Sequence, residues 1–295
     1  MPDTLRDGVY EDLLTRRLRN ALERLRDASV QKRRVGDDEA PRLLARAVAA
    51  EVERALEEIR GEEAGPERVR LCNALLRQLH ALSPAALREG AEEDLESPAH
   101  LLEAVYSTPG APPRPATPLG RTSLLTGARR DPRFGAELVA EIPTADRVDA
   151  IVAFVSWRGW QQLRETLETF AASRRSLRLL TTVYMGASDA HALEALARLP
   201  GIEVRVSYDT RRTRLHAKAW LFHRETGLST AYVGSANLSA AALGDGLEWT
   251  VKLSEKSDPD AIEKFRGEFE TLWANAEFEP LLPNDAAAQR RLREA

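Results

Sequence analysis

Apolar residues recur every three or four positions in the first part of the chain, whereas later they gather in short runs separated by polar stretches. Between about residues 7 and 105 the periodic positions include Tyr10, Leu13, Leu14, Leu18, Leu22 and Leu25, then Leu43, Leu44, Ala47, Val48 and Val52. That interval lines one stripe of an α-helix, so the region is expected to be all helical. Gly61, the triplet Ala64-Gly65-Pro66 and Ser83-Pro84 punctuate it. Ser83-Pro84 reads as an N-cap followed by Pro at the first helical position.

Residues 107–120, STPGAPPRPATPLG, are too rich in Pro and Gly for a regular element and read as a linker or exposed arm. Beyond them β-rich runs alternate with amphipathic helices: AIVAFV at 150–155, a helix near 159–172, LRLLTTV at 177–183, a helix near 189–198 and IEVRV at 202–206. Such alternation predicts βαβ units, hence a parallel or mixed sheet covered by helices. HAKAWLFH, TAYVGS and LEWTVKL add three strand candidates, with a short helical stretch near 238–243 and a closing helix near 259–275. The expected organisation is an N-terminal helical region over 1–106, the linker over 107–120, an α/β domain over 121–283, and a charged tail or linker over 284–295.

Composition narrows the picture. No apolar run approaches the length that crosses a bilayer, and the N-terminus carries no secretory signal pattern, so a soluble cytoplasmic protein is expected. The single cysteine, Cys72, excludes a disulfide framework, and no set of His, Cys, Asp and Glu has metal-ligand spacing. A net charge of −4 argues against a basic coat over the whole surface, so any nucleic-acid contact must be local.

The chemistry concentrates in RTRLHAKAWLFHRETGLSTAYVGSANLS, residues 212–239. On a strand, His216 and Lys218 project from one face roughly 7 Å apart, so one phosphate touches both. Gly234 and Ser235 precede Asn237 and are expected to bring backbone amides close to an anion. Glu248 is positioned to set its carboxylate against an imidazole, fixing the tautomer. Arg211, Arg212, Arg214 and Arg224 supply a candidate nucleic-acid backbone track. Trp157, Trp160, Trp220 and Trp249 read as core, although Trp157 and Trp160 stand at a strand's C-terminal end, where base stacking is feasible.

His216-x-Lys218 followed by Gly234-Ser235-x-Asn237 resembles the HxK…GSxN signature of the phospholipase D superfamily, which includes metal-independent nucleases. GVYEDLLTRRL, TSLLTGAR, TTVYMGASD, SYDTRRTRLHAKAWLFHRETG and DGLEWTV together resemble the N-terminal, phospholipase D-like region of bacterial DEAD/DEAH-box helicases. The resemblance implies an α/β phospholipase D-like domain, a mixed β-sheet flanked by helices, behind the all-helical region. It implies a hydrolase that needs no cofactor or metal and acts on nucleic acid, most naturally DNA, through a phosphohistidine. His216, Lys218, Asn237, Glu248 and Ser235 are then the site residues. His223 stands where the family's fuller pattern has an Asp five places after the Lys, and the Gly-Ser pair lies four places later than the strict spacing.

The reaction needs two histidines, but His80, His100, His191 and His223 are followed two places on by Leu82, Leu102, Leu193 and Glu225. With one HxK, the superfamily solution is a homodimer sharing its active site. The resemblance also implies a helicase motor, in cis or in trans, as a partner; no GxxxxGK[ST] occurs in this sequence. The alternatives are a catalytically silent nucleic-acid-binding or dimerisation module and a phospholipase; the latter is disfavoured by arginines near the site and the lack of an amphipathic membrane segment.

Overall fold

The computed structural model describes residues 13–24, 30–82, 94–101, 103, 113–209, 215–244 and 246–294. The chain divides into two units, residues 1–104 and 105–295.

The first unit is helical where described: α1 Arg16–Glu23, α2 Ala40–Glu58 and α3 Ala64–Leu82. The Thr15 hydroxyl caps α1 by accepting from the Leu18 N–H at 3.1 Å. Arg68 of α3 donates to the carbonyls of Leu56 and Ile59, which the end of α2 leaves without intrahelical donors. The stripe read from the periodicity stays largely outside: Leu44, Val48, Leu75 and Leu79 are exposed, and Val69 is the one buried hydrophobic residue among the described part of this unit. The helices expected from Tyr10 and from Ser83-Pro84 begin outside the described residues.

The second unit is built on β1 Ser123–Leu125, β2 Arg147–Val152, β3 Ser176–Thr182, β4 Ile202–Ser207, β5 Lys218–His223, β6 Thr230–Gly234, β7 Thr250–Ser254 and β8 Phe278–Pro280. They form one mixed sheet in the order β1-β7-β6-β5-β2-β3-β4-β8. The β2–β3 and β3–β4 pairs are parallel, as the two βαβ units require, and the other neighbours are antiparallel. The helices are α4 Phe134–Glu141, α5 Trp157–Ala172, α6 Ala190–Ala197, α7 Ala240–Leu243, α8 Pro259–Trp273 and α9 Ala286–Glu294.

Strand alternation divides the core between two faces. Val148, Ala150, Val152, Leu177, Leu179, Trp220, Phe222 and Tyr232 pack with residues of α4 to α7 and with Leu292 of α9. Ile151, Leu180, Leu221 and Ala231 point the other way and meet Ile262, Phe265 and Phe269 of α8. Helix α8 does not reach the far corner of its face: Leu124, Val251 and Val233, cross-strand neighbours on β1, β7 and β6, stay exposed with Trp249 beside them.

Two expectations change. Residues 113–120 lack regular structure, but they are anchored rather than free. The Ala116 and Thr117 N–H groups donate to Glu137, Lys252 Nζ donates to the Thr117 carbonyl at 3.0 Å, and the Ser254 hydroxyl donates to the Leu119 carbonyl at 2.7 Å. Residues 107–112 lie outside the described part. The supposed charged tail contains α9, which buries Leu292 and pairs Arg293 with Glu194 at 2.8 Å.

Candidate active site

Strands β2 and β6 end, and β5 and β7 begin, at the same edge of the sheet. The registers Val152↔Lys218 and Gly234↔Thr250 fix this. Beyond those strand ends the Leu238 N–H donates to the Phe154 carbonyl at 3.1 Å and the Ser156 N–H to the Leu238 carbonyl at 2.9 Å. The loop Ser235–Leu238 is thereby stitched to the residues that follow β2.

His216 lies just ahead of β5 and is exposed; Lys218 opens the strand and is only 6% exposed. The ammonium donates to the His216 carbonyl at 2.7 Å and lies 3.1 Å from His216 Nδ1. It also sits 5.9 Å from the Phe154 ring centroid, a cation–π distance. Burial pushes the Lys218 pKa down, while the nearby Glu248 carboxylate works against that shift.

Asn237 Oδ1 accepts from the Phe154 N–H at 3.2 Å, which orients the side-chain NH₂ as the remaining donor. Glu248 accepts from the Ser235 hydroxyl, and that hydroxyl in turn accepts from the Trp249 N–H at 3.3 Å. His216, Lys218, Ser235, Asn237 and Glu248 are thus connected through direct bonds, the Phe154 contact and the Lys218–Glu248 attraction. Among the described residues no hydrogen bond joins Glu248 to His216, so the expected carboxylate–imidazole contact is replaced by one to Ser235.

Gly234 has a packing role that the sequence reading did not include. A Cβ there would lie 2.3 Å from the Trp249 carbonyl oxygen and 2.8 Å from Thr250 Cα, so only glycine permits this approach of β6 to β7. Gly159 does the same for α5, where a Cβ would lie 2.2 Å from the Leu238 carbonyl oxygen.

The arginine track is only partly visible. Arg211, Arg212 and Arg214 lie outside the described residues. Arg224 is corrected outright: it is 7% exposed, pairs with Glu141, and donates to Thr144 Oγ1 at 2.6 Å and Thr230 Oγ1 at 3.1 Å. It belongs to a closed core network. Two arginines the sequence reading passed over, Arg129 and Arg133, line a pocket of about 120 Å³ that Glu248 also lines. Its loop includes Gly127 at φ +70, which sets it against Gly246 and Leu247. Trp160 and Trp220 are core as expected, but Trp157 and Trp249 are 40% and 63% exposed.

At the far end of β5, His223 Nε2 lies 2.6 Å from Asp149 Oδ2, and Arg178 binds the same carboxylate at 2.7 and 2.9 Å. Burial works to raise the pKa of Asp149, but the hydrogen bonds from His223 and Arg178 outweigh it and hold it below the usual carboxylate range. His223 therefore sits in a structural ion cluster, a strand's length from His216.

Residues 139–273 match the family model described as cardiolipin synthase, PLD-like domain. Similar solved structures include NucT from Helicobacter pylori, 13% identical over 55% of this chain and 99% of that one with a TM-score of 0.41. The phospholipase D family member Nuc from Salmonella typhimurium is 16% identical over 55% and 99% with a TM-score of 0.40. Phosphatidylserine synthase from Haemophilus influenzae is 11% identical over 59% and 44% with a TM-score of 0.39. None of the curated proteins compared matches the chain. The mixed sheet with helices on both faces, together with the matched segment, gives this unit a phospholipase D-like α/β fold.

Proposed function

We propose that the α/β unit is a metal-independent phosphodiesterase that cleaves nucleic acid, DNA in particular, through a phosphohistidine. One observation carries the reading: the Lys218 ammonium is held against an exposed His216 at the sheet end where Asn237 and Glu248 also converge. His216, as neutral imidazole, attacks phosphorus in line. The bond from phosphorus to the leaving oxygen breaks, and that oxygen takes a proton from an imidazolium opposite. Water then attacks the phosphohistidine, gives its proton to the second imidazole and frees His216. Lys218 and the Asn237 amide hold the non-bridging oxygens, where negative charge builds.

The second imidazole is His216 of the partner subunit in a two-fold homodimer. The exposed strip of Leu124, Val233, Val251, Leu247 and Trp249 supports this, because contiguous apolar surface bordering Glu248 is the kind a second copy covers. Arg129 and Arg133 support a polyanionic substrate at the same site. Among the described residues no helix is long and apolar enough to cross a membrane. The module works beside a helicase motor, in cis or in trans. A second reading, a silent nucleic-acid-binding module, draws on Glu248 being bonded to Ser235 and not to His216.

The deciding experiment incubates the chain with DNA in EDTA, alone and mixed with His216→Ala chains. Cleavage should persist and scale with the square of the wild-type fraction. A linear dependence removes the shared site, and no cleavage beyond that of His216→Ala leaves the binding module.

A further inference from the structure

Tryptophan is a highly buried residue on average, so a solvent-facing one beside a reaction site asks for a ligand. Trp157 is the first residue of α5, and its backbone is locked to the segment that carries Asn237. The preceding Ser156 N–H donates to the Leu238 carbonyl at 2.9 Å, and the Ser156 hydroxyl accepts from the Gly159 N–H at 3.0 Å. Helix α6 starts alongside, because the Asp189 N–H donates to the Val155 carbonyl at 2.7 Å. Between the two helix starts opens a cleft of about 480 Å³, lined by Trp157 with Asp189, His191, Glu194 and Arg198. That volume falls among small-ligand sites, roughly 300–1,000 Å³.

The carboxylates in the cleft are already engaged. Asp189 Oδ1 accepts from the His191 and Ala192 N–H groups, and Glu194 accepts from Arg293 and Arg198. What the cleft offers a ligand is a flat indole and an imidazole in one lining.

We propose that this cleft takes an unpaired nucleobase stacked on Trp157, one belonging to a nucleotide next to the phosphate held by Lys218 and Asn237. The proposal rests on the phosphodiesterase reading and deepens it: the substrate is single-stranded, because a base held in a duplex cannot present its face to Trp157. Stacking is indifferent to base identity, since every base has a π-face, so the preference concerns strandedness and not sequence.

The test measures binding and cleavage separately, using the full chain, an oligothymidylate of about twelve nucleotides, its duplex with oligodeoxyadenylate, and an abasic single strand of the same length, which carries no aromatic ring. Trp157→Ala should weaken binding of the single strand at least fivefold and raise its KM in parallel. Trp157→Phe should recover most of that loss. Cleavage of the abasic strand and any affinity for the duplex should stay unchanged.

Equal weakening of single strand and duplex, or no weakening, overturns the proposal. Loss of abasic-strand cleavage overturns it too, since Trp157 would then be holding the loop of Asn237. Should Trp157→Ala melt early, His191→Ala in the same lining must still weaken the single strand selectively. Selective binding without cleavage would sink the phosphodiesterase reading and leave the stacking cleft standing; cleavage without selectivity would do the reverse.

Discussion

Lys218 and Lys252 project from the same face of one sheet, two strands apart, and both are nearly inaccessible, yet their surroundings differ. Lys252 is 0% exposed and its ammonium is saturated: Thr117 supplies a carbonyl at 3.0 Å and a hydroxyl at 2.9 Å, and Glu141 a carboxylate oxygen at 3.1 Å. Glu141 is shared with Arg224, and Tyr232 donates its hydroxyl to Glu141 Oε1 at 2.9 Å. Around Lys218 the assigned acceptor is the His216 carbonyl, with His216 Nδ1 3.1 Å away, while the Glu248 carboxylate acts only through space. An ammonium has three donors, so Lys218 keeps donors to offer a ligand. The difference separates a charge cluster that closes on itself from one left open to a ligand.

Breaking the closed cluster should have the largest effect. Glu141→Gln leaves Arg224 and Lys252 buried without their shared counter-charge, which costs about 3–5 kcal/mol in urea unfolding. Activity per folded molecule should stay intact. In the open cluster the pattern reverses: Lys218→Met should lower cleavage about 10²–10³-fold while the unfolding midpoint does not fall. A matching loss of stability would erase the distinction.

The far end of β5 offers an intermediate case. His223→Asp sets a second carboxylate where Asp149 now meets an imidazole at 2.6 Å. It should destabilise by about 1–3 kcal/mol, measured by thermal melting, with kcat unchanged.

The smallest effect concerns alkaline pH. The folded pKa of Lys218 lies below the ordinary 10.5. Between those two values the unfolded chain binds more protons, so this residue makes stability rise with pH across that window and stay below its maximum on the acid side. Lys218→Met should therefore gain stability at neutral pH and lose part of the alkaline rise, both read from urea unfolding across pH. Wild-type cleavage should decline below pH 10.5 as the ammonium deprotonates. A stability curve parallel to wild type would remove this contribution of Lys218.

Much of this was legible because two-residue alternation survives burial. Val148, Ala150, Val152 and Trp220, Phe222 show it plainly, and the HxK and GSxN spacings mark one sheet end. What escaped the reading depends on contacts distant in sequence. Strands β1 and β8 are three residues each, too short for a periodic signal. Helix α4 buries Glu137 and Glu141, so its polarity misleads until Tyr232, Arg224 and Lys252 arrive from other strands. For the same reason Arg224 looked like a surface cation. Two tryptophans were misplaced because exposure follows from where α5 starts and α8 stops, which no local pattern records.

The anchored arm ties assembly of the site to the order of synthesis. Thr117 leaves the ribosome 135 residues before Lys252, the partner of its carbonyl and hydroxyl. At cellular elongation rates of about 5–20 residues per second, that is a wait on the order of ten seconds. The segment that carries Glu248 emerges at the end of the same interval, immediately before β7. The arm can meet Glu137 early, but its bonds to Lys252 and Ser254 and the completion of the constellation around Lys218 come late together, and a nascent chain halted before residue 248 lacks both.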